Sequence, residues 1–449
     1  MEFAGMNKFN LLIEAKAWIL KNAPKSGISR SISKNKPKLS EEAKAWILYD
    51  GGNSAFATTV IAAFFPIFFN DFWASGLEAE VKTAYLGWGL TISNLVLLFT
   101  SPFIGAITDV SKTTKILFSG FACIAIICVA ALYFIPAGSW LYALIFFGIA
   151  NYCFAAGNTL YDKMLIQVSN ESNIAKISSY GFAFGYLGGG ALFLLNAAMT
   201  IKPEFFGLNS VAEAVQWSFL SVSVWWTLFL IPIMLRIKEQ GESIPGNKLK
   251  LAFQKVLHTL QTVSSKKNVF IFLLAFFLYI DGVHTIMAMA ADFALNLGLP
   301  SSDIIVALIL VQFVAFPTTL LWSKVAYSIG DKNTLLVTIF LYLVVVGYSA
   351  FLSNAMEFYV LAAMVGAIQG GIQSISRSFY ATLIPQQESG EYFGFYNMFG
   401  RAGAFMGPAM VAIFVTITTD TKSGLIPIAA LFIIGGIILL KVKSPHESL

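Results

Sequence analysis

The chain has 449 residues, of which 57% are apolar, 15% aromatic and only 12% charged. Soluble domains carry about a quarter charged residues, so membrane is the class to test first. A net charge of +5 is then read through where the basic residues sit relative to a bilayer, and nucleic acid is not the expected partner.

Residues 1–44 form an N-terminal extension in which EAKAWIL occurs at Glu14–Leu20 and again at Glu42–Leu48. The first apolar patch, Leu11–Leu20, is short and carries Glu14 and Lys16, so no cleavable signal is expected there. The first EAKAWIL copy runs into a basic stretch and is expected to be a duplicated leader without a transport role, although its apolar face could lie in a membrane interface. The second copy runs straight into apolar sequence and ends on Tyr49-Asp50-Gly51-Gly52-Asn53-Ser54.

Windows of about 19 residues predict twelve spans, at approximately 45–69, 83–107, 116–135, 140–160, 177–199, 215–235, 268–290, 303–323, 334–352, 357–376, 391–416 and 424–440. The expected fold is an all-α polytopic membrane protein with a six-helix half over 45–236, a basic linker over 237–267, a second six-helix half over 268–440 and a tail over 441–449. Sorting the 29 Lys and Arg residues by alternate loops places 25 on one side and 3 on the other, with Arg401 alone inside a span. That asymmetry predicts both termini on the cytoplasmic side. A bacterial inner membrane is the expected location, or a vacuolar-type membrane in a eukaryote. Cys123, Cys128 and Cys153 fall within apolar runs and read as small core residues; no metal and no cofactor is expected.

Two acids lie inside the predicted spans and away from their end residues, Asp50 and Asp281. Carboxylates in hydrocarbon are costly and mark functional positions by default. The two are also related: Asp50-Gly51-Gly52-Asn53-Ser54 lies against Asp281-Gly282-Val283-His284-Thr285, each at the matching place in its half. Weaker echoes follow in order, Pro102 with Pro317, Tyr161 with Tyr380, and Gly181-Phe182 with Gly394-Phe395. Two parallel repeats joined by a cytoplasmic loop describe one known transporter architecture.

The chain resembles the major facilitator superfamily, and within it the unknown-major-facilitator branch that includes autophagy-related vacuolar effluxers. The resemblance rests on WILYDGGNSAF at Trp46–Phe56, YGFAFGYLGGG at Tyr180–Gly190, FLYIDGVHT at Phe277–Thr285, GGIQSISRSFYATLIP at Gly370–Pro385 and YFGFY at Tyr392–Tyr396. It covers roughly residues 44–440 and implies alternating access and export of a small-molecule substrate such as an amino acid. Gly105 and Asp109 match the superfamily's loop motif between the second and third helices, while Lys112 stands where the motif has its second glycine and Lys115 is a displaced cation. These four are the gating-loop candidates. Where the branch has Trp-Ala the chain has Gly51-Gly52, which implies a more flexible first helix.

Each remaining candidate has two readings. Asp281, Asp50 and His284, the last one helical turn after Asp281, could carry a coupling proton or be satisfied polar residues of the bundle. Asp281 lies deeper in its span than Asp50, which begins near its apolar start. Asn53, Asn151, Asn158, Gln369 and Gln373 could line a substrate path or tie helices together. Arg377 reads as a positive-inside anchor or as a path residue. Arg401 could bind a substrate carboxylate, pair with an intramembrane acid, or snorkel toward the headgroups. Glycines in the fifth and eleventh spans, with Pro66, Pro102, Pro232 and Pro317, are expected to let helices pack closely and bend.

A membrane-embedded enzyme would need a nucleophile with its base, or metal ligands, at one depth. His284 is the one histidine in a predicted span, and no His-Glu-x-x-His or Gly-x-Ser-x-Gly stretch occurs, so an enzyme is not expected. A solute sensor on the same fold is the rival reading. The expected partners are a small solute, protons and lipid, with the chain acting as a monomer.

Overall fold

In the computed structural model, which describes residues 39–239, 243–262, 266–296, 298–418 and 421–444, every regular element among the described residues is helical. Twelve of the helices are long and apolar enough to cross a membrane. The first half contributes α1 (Glu41–Trp73), α2 (Ala79–Ser111), α3 (Thr114–Leu132), α4 (Trp140–Val168), α5 (Ile174–Ile201) and α6 (Val211–Arg236). A linker helix α7 (Lys248–Thr262) follows. The second half contributes α8 (Lys267–Asn296), α9 (Ser301–Ile329), α10 (Asp331–Ser349), α11 (Ala355–Leu383), α12 (Ser389–Thr418) and α13 (Leu425–Leu440). The first EAKAWIL copy lies outside the described residues.

Local chemistry fixes several helix starts. Ser40 caps α1 by accepting from the Ala43 N–H at 3.1 Å, with Glu41 and Glu42 in the first turn favouring the helix dipole. Ser210 with Glu213 and Asn354 with Glu357 repeat the device at α6 and α11, each cap accepting an N–H three residues on, at 3.1 and 3.0 Å. α1 thus begins before its apolar run, with Asp50 about 14 Å along the helix and still near the apolar start.

α1 is also irregular. Its stretches Phe56–Phe64 and Phe69–Trp73 are wound as π-helix, separated by Phe65–Phe68 with Pro66 in its first turn. Such widened turns are frequent at functional sites. Here they begin just past Asp50 and Asn53. The expectation that Gly51-Gly52 loosens α1 meets close packing instead: a methyl group on Gly52 would overlap the Phe229 ring, and one on Gly51 would press on the Phe184 carbonyl oxygen at 3.2 Å.

The two halves repeat one packing plan. α1 packs on α5 and α6 as α8 packs on α12 and α13, and α3 packs on α4 and α6 as α10 packs on α11 and α13. The seam between halves obeys the same symmetry, because α2 meets α12 and the equivalent α9 meets α5. Pro102, Pro232, Pro317 and Pro408 sit inside α2, α6, α9 and α12. Three of these helices, α2, α9 and α12, build the seam.

Candidate functional site

The polar groups of the bundle gather along this seam, most densely at the end where α2 stops and α12 starts. Asp109, in the last turn of α2, has 1% of its side chain exposed. Its Oδ1 takes Lys163 Nζ at 2.9 Å and the Gly390 N–H at 3.0 Å; its Oδ2 takes Lys255 Nζ at 3.2 Å and the Glu391 N–H at 3.0 Å. Gly390 and Glu391 lie in the first turn of α12, whose N–H groups have no partner within their own helix. A carboxylate from one half therefore caps a helix of the other, with two lysines neutralising it. Gly105 makes the approach possible, since any Cβ there would run into the Gly390 carbonyl. One turn deeper, Ser101 Oγ donates to the Gly394 carbonyl at 2.9 Å.

Of the four gating-loop candidates, Gly105 and Asp109 sit at this contact and the two lysines do not. Among the described residues, the cations that reach Asp109 are Lys163 on α4 and Lys255 on α7. Lys112 ends α2 in the left-handed region, with φ 52° and ψ 45°, the conformation for which glycine is the default. The Lys115 backbone N–H donates to Glu239 Oε2 at 2.8 Å.

A second tie, which the loop sorting misread, lies beside the first. Arg377 on α11 is 3% exposed and not a headgroup anchor. Its Nη1 pairs with Asp162 Oδ1 on α4 at 3.0 Å, while Nε and Nη2 donate to Ser178 Oγ and the Ser178 carbonyl, each at 3.0 Å. Asn397 Nδ2 on α12 holds the other oxygen of Asp162 at 3.0 Å. The guanidinium also lies 4.3 Å from the Phe182 ring centroid and 4.8 Å from that of Trp46, and Trp46 stacks on Tyr161 at 4.2 Å. Asp162, counted from sequence among the loop acids, is thus a third buried carboxylate of the bundle, and Glu391 is a fourth.

At mid-depth the predicted residues divide. Asn53 Nδ2 donates to Asn158 Oδ1 at 2.9 Å, joining α1 to α4, and Asn53 Oδ1 is buried without a partner. Asn151 is 2% exposed and donates to Ser93 at 2.9 Å, an internal tie of the first half. Tyr186 on α5 donates to Gln373 Oε1 on α11 at 2.8 Å across the seam, and Gln369, one turn before Gln373, is buried. Asp50 accepts from Ser54 at 3.3 Å and its Oδ2 lacks a partner. Asp281 is fully buried; its Oδ1 accepts the Gly407 N–H of α12 at 3.0 Å and its Oδ2 lacks a partner. His284 Nδ1 is likewise unpartnered, so the imidazole makes no bond through that atom to Asp281. Arg401 faces the seam, with Nη1 at 3.5 Å from Asn94 Oδ1 on α2.

No group of three or more His, Cys, Asp or Glu among the described residues is placed to hold a metal ion. The inter-half bonds of Asp109, Asp162, Ser101, Ser178, Tyr186 and Arg401 all fall between the Asp109 end and mid-depth. Two pseudo-symmetric six-helix halves, meeting on a polar seam closed at one end, define a membrane transporter of the major facilitator type. The family described as "Vacuole effluxer Atg22 like" matches residues 166–447. The uncharacterized MFS-type transporter YxiO of Bacillus subtilis strain 168 is 34% identical over 403 residues, covering 89% of this chain and 94% of that protein. The chain belongs to this Atg22-like family.

More distant relatives fit the same assignment. Autophagy-related protein 22-1 of Penicillium rubens is 27% identical over 272 residues, which cover 53% of this chain and 43% of that protein. Among solved structures, the human organic anion transporter MFSD10 superposes with a TM-score of 0.68 at 12% identity, over 90% of this chain and all of that one. The proton:xylose symporter XylE superposes with a TM-score of 0.67 at 12% identity, over 91% and 96% of the two chains. These likenesses establish the fold.

Proposed function

We propose that the chain is a proton-coupled secondary transporter that exports a small solute, an amino acid in the first instance, by alternating access. The observation that carries this reading is the uneven seam. One end is held by separable polar ties, while two acids inside the spans, Asp50 and Asp281, keep a buried oxygen without a partner. Ties between rigid halves can break and re-form as the halves rock, whereas a continuous apolar interface would resist opening. Export accords with the effluxer description of the family.

Coupling is assigned to Asp281, with His284 and Asp50 as further candidates. Asp281 stands at the junction of α8 and α12, where a Cβ on Gly407 would overlap both it and Thr285. Gain or loss of a proton there changes its bond to the Gly407 N–H and so bears on how those helices sit. The Asp109 end is taken to face the cytoplasm, supported by the 25 to 3 asymmetry of Lys and Arg. An inner-membrane location and a monomeric carrier complete the proposal.

Flux of radiolabelled amino acids through reconstituted vesicles under an imposed pH gradient tests it. Wild type accumulates substrate against its gradient; Asp281→Asn loses the pH-driven accumulation and retains exchange. Unchanged pH dependence in Asp281→Asn overturns the coupling assignment, and saturable binding with no flux in wild type makes the chain a sensor.

A further inference from the structure

The bundle holds two arginines at the seam, and their surroundings differ. Arg377 is engaged at each of its three nitrogens, by one carboxylate, one hydroxyl and one carbonyl, with three aromatic faces beside it. Arg401 has five donors and, among the described residues, one weak polar contact, the 3.5 Å approach to Asn94. Among the described residues no carboxylate lies within ion-pair distance of it.

The three readings of Arg401 open in the sequence now separate. It does not pair with an intramembrane acid: among the described residues none lies within ion-pair distance of it, and Asp162 is taken by Arg377. Snorkelling fails on distance. Arg401 is twelve residues after Ser389 in α12, about 18 Å along the helix, beyond the reach of its own side chain from either end. A cation kept at mid-depth without a counter-ion is costly, and the cost is removed only when an anion arrives.

We infer that Arg401, with Asn94 on α2 and His284 on α8, is the site that recognises the carboxylate of the transported solute. α2 of the first half meets α12 of the second there, so a bound anion touches both moving bodies. Arg401 is only partly buried, and its planar fork matches a carboxylate through two parallel bonds. His284 stands on α8, which packs against α12, and its buried Nδ1 is without a partner. The charge count selects the anion. One guanidinium balances a single negative charge, and a phosphate dianion would leave a charge uncompensated. The inference rests on the carrier reading and narrows its substrate to solutes with a free carboxylate.

The test is thermal stabilisation of the full-length chain in detergent by a panel of the twenty amino acids, their amides, short-chain carboxylates and inorganic phosphate. Stabilisation is expected only from compounds with a free carboxylate, with apparent affinity falling about 10- to 100-fold in Arg401→Gln, the range for one charge-assisted buried contact. Asn94→Asp supplies an internal counter-ion at the same distance. It should raise the melting temperature of the unliganded protein and remove the carboxylate response, which a purely structural arginine would not do. Equal stabilisation by amides or phosphate, an undiminished response in Arg401→Gln, or no carboxylate response in wild type overturns the inference. Vesicle flux keeps the two claims apart. Arg401-dependent carboxylate binding without flux defeats the carrier reading alone; flux of an uncharged or cationic solute that ignores Arg401→Gln defeats this inference alone.

Discussion

Arg377 and Asp162 show how one pair of residues can hold two halves of a molecule together. Their ion pair is buried and hydrogen-bonded on both sides, so removing one partner strands the other charge, a loss of about 3–5 kcal/mol for buried pairs. Arg377→Ala should therefore open the Asp109 end, measured as faster labelling of a cysteine introduced at Ser178. The double variant Arg377→Leu with Asp162→Asn should lose much less than the sum of the two single changes, because neither charge is left behind. The sequence hid this pair for a physical reason. Hydropathy places a charged residue by its neighbours along the chain, so charges near span ends read as loop charges, and only packing reveals that the ends of α4 and α11 are covered by the opposite half. Asp109 was legible because its signal is local, the Gly105-x-x-x-Asp109 spacing. Its lysines were not, since Lys163 and Lys255 come from distant helices. Lys112 offers a smaller test at this scale: Lys112→Gly removes a left-handed non-glycine residue and should stabilise the protein by about 1 kcal/mol, read as a rise in melting temperature.

Among the elements, α2 and α12 depend on glycine for their approach. A side chain on Gly105 collides with the backbone at Gly390, and one on Gly394 meets Ser101 and Pro102. Backbone cannot rotate away as a side-chain tip can. Gly105→Val should thus hold this end apart and reduce flux about tenfold or more, in line with overpacking penalties of about 1–3 kcal/mol. The linker helix α7 was expected only as part of a basic loop. It packs on α2, stacks Phe253 on Phe103 at 5.7 Å and supplies Lys255 to Asp109. Its signal was available: KLKLAFQKVLHTLQT alternates polar and apolar residues at helical spacing. Because Lys255 is partly exposed, Lys255→Ala should weaken closure by no more than about 1 kcal/mol, a milder labelling change than that of Arg377→Ala.

For the whole molecule, the twelve spans and the six-plus-six division could be read from periodicity, loop charge and internal repetition. What could not be read is the closed end, because it is built from contacts between residues up to 293 positions apart. That end decides which side of the bundle is shut. Rocking of the two halves about the seam is open to direct measurement. Spin labels at Lys112→Cys and Gln387→Cys, both exposed positions at the Asp109 end, in a background with Cys123, Cys128 and Cys153 replaced by alanine, report that motion by pulsed distance measurement in lipid nanodiscs. Two distance populations are predicted, with the short one dominant in the otherwise unaltered chain and the long one gaining when Arg377→Ala is added. A single short distance that survives Arg377→Ala would contradict the account.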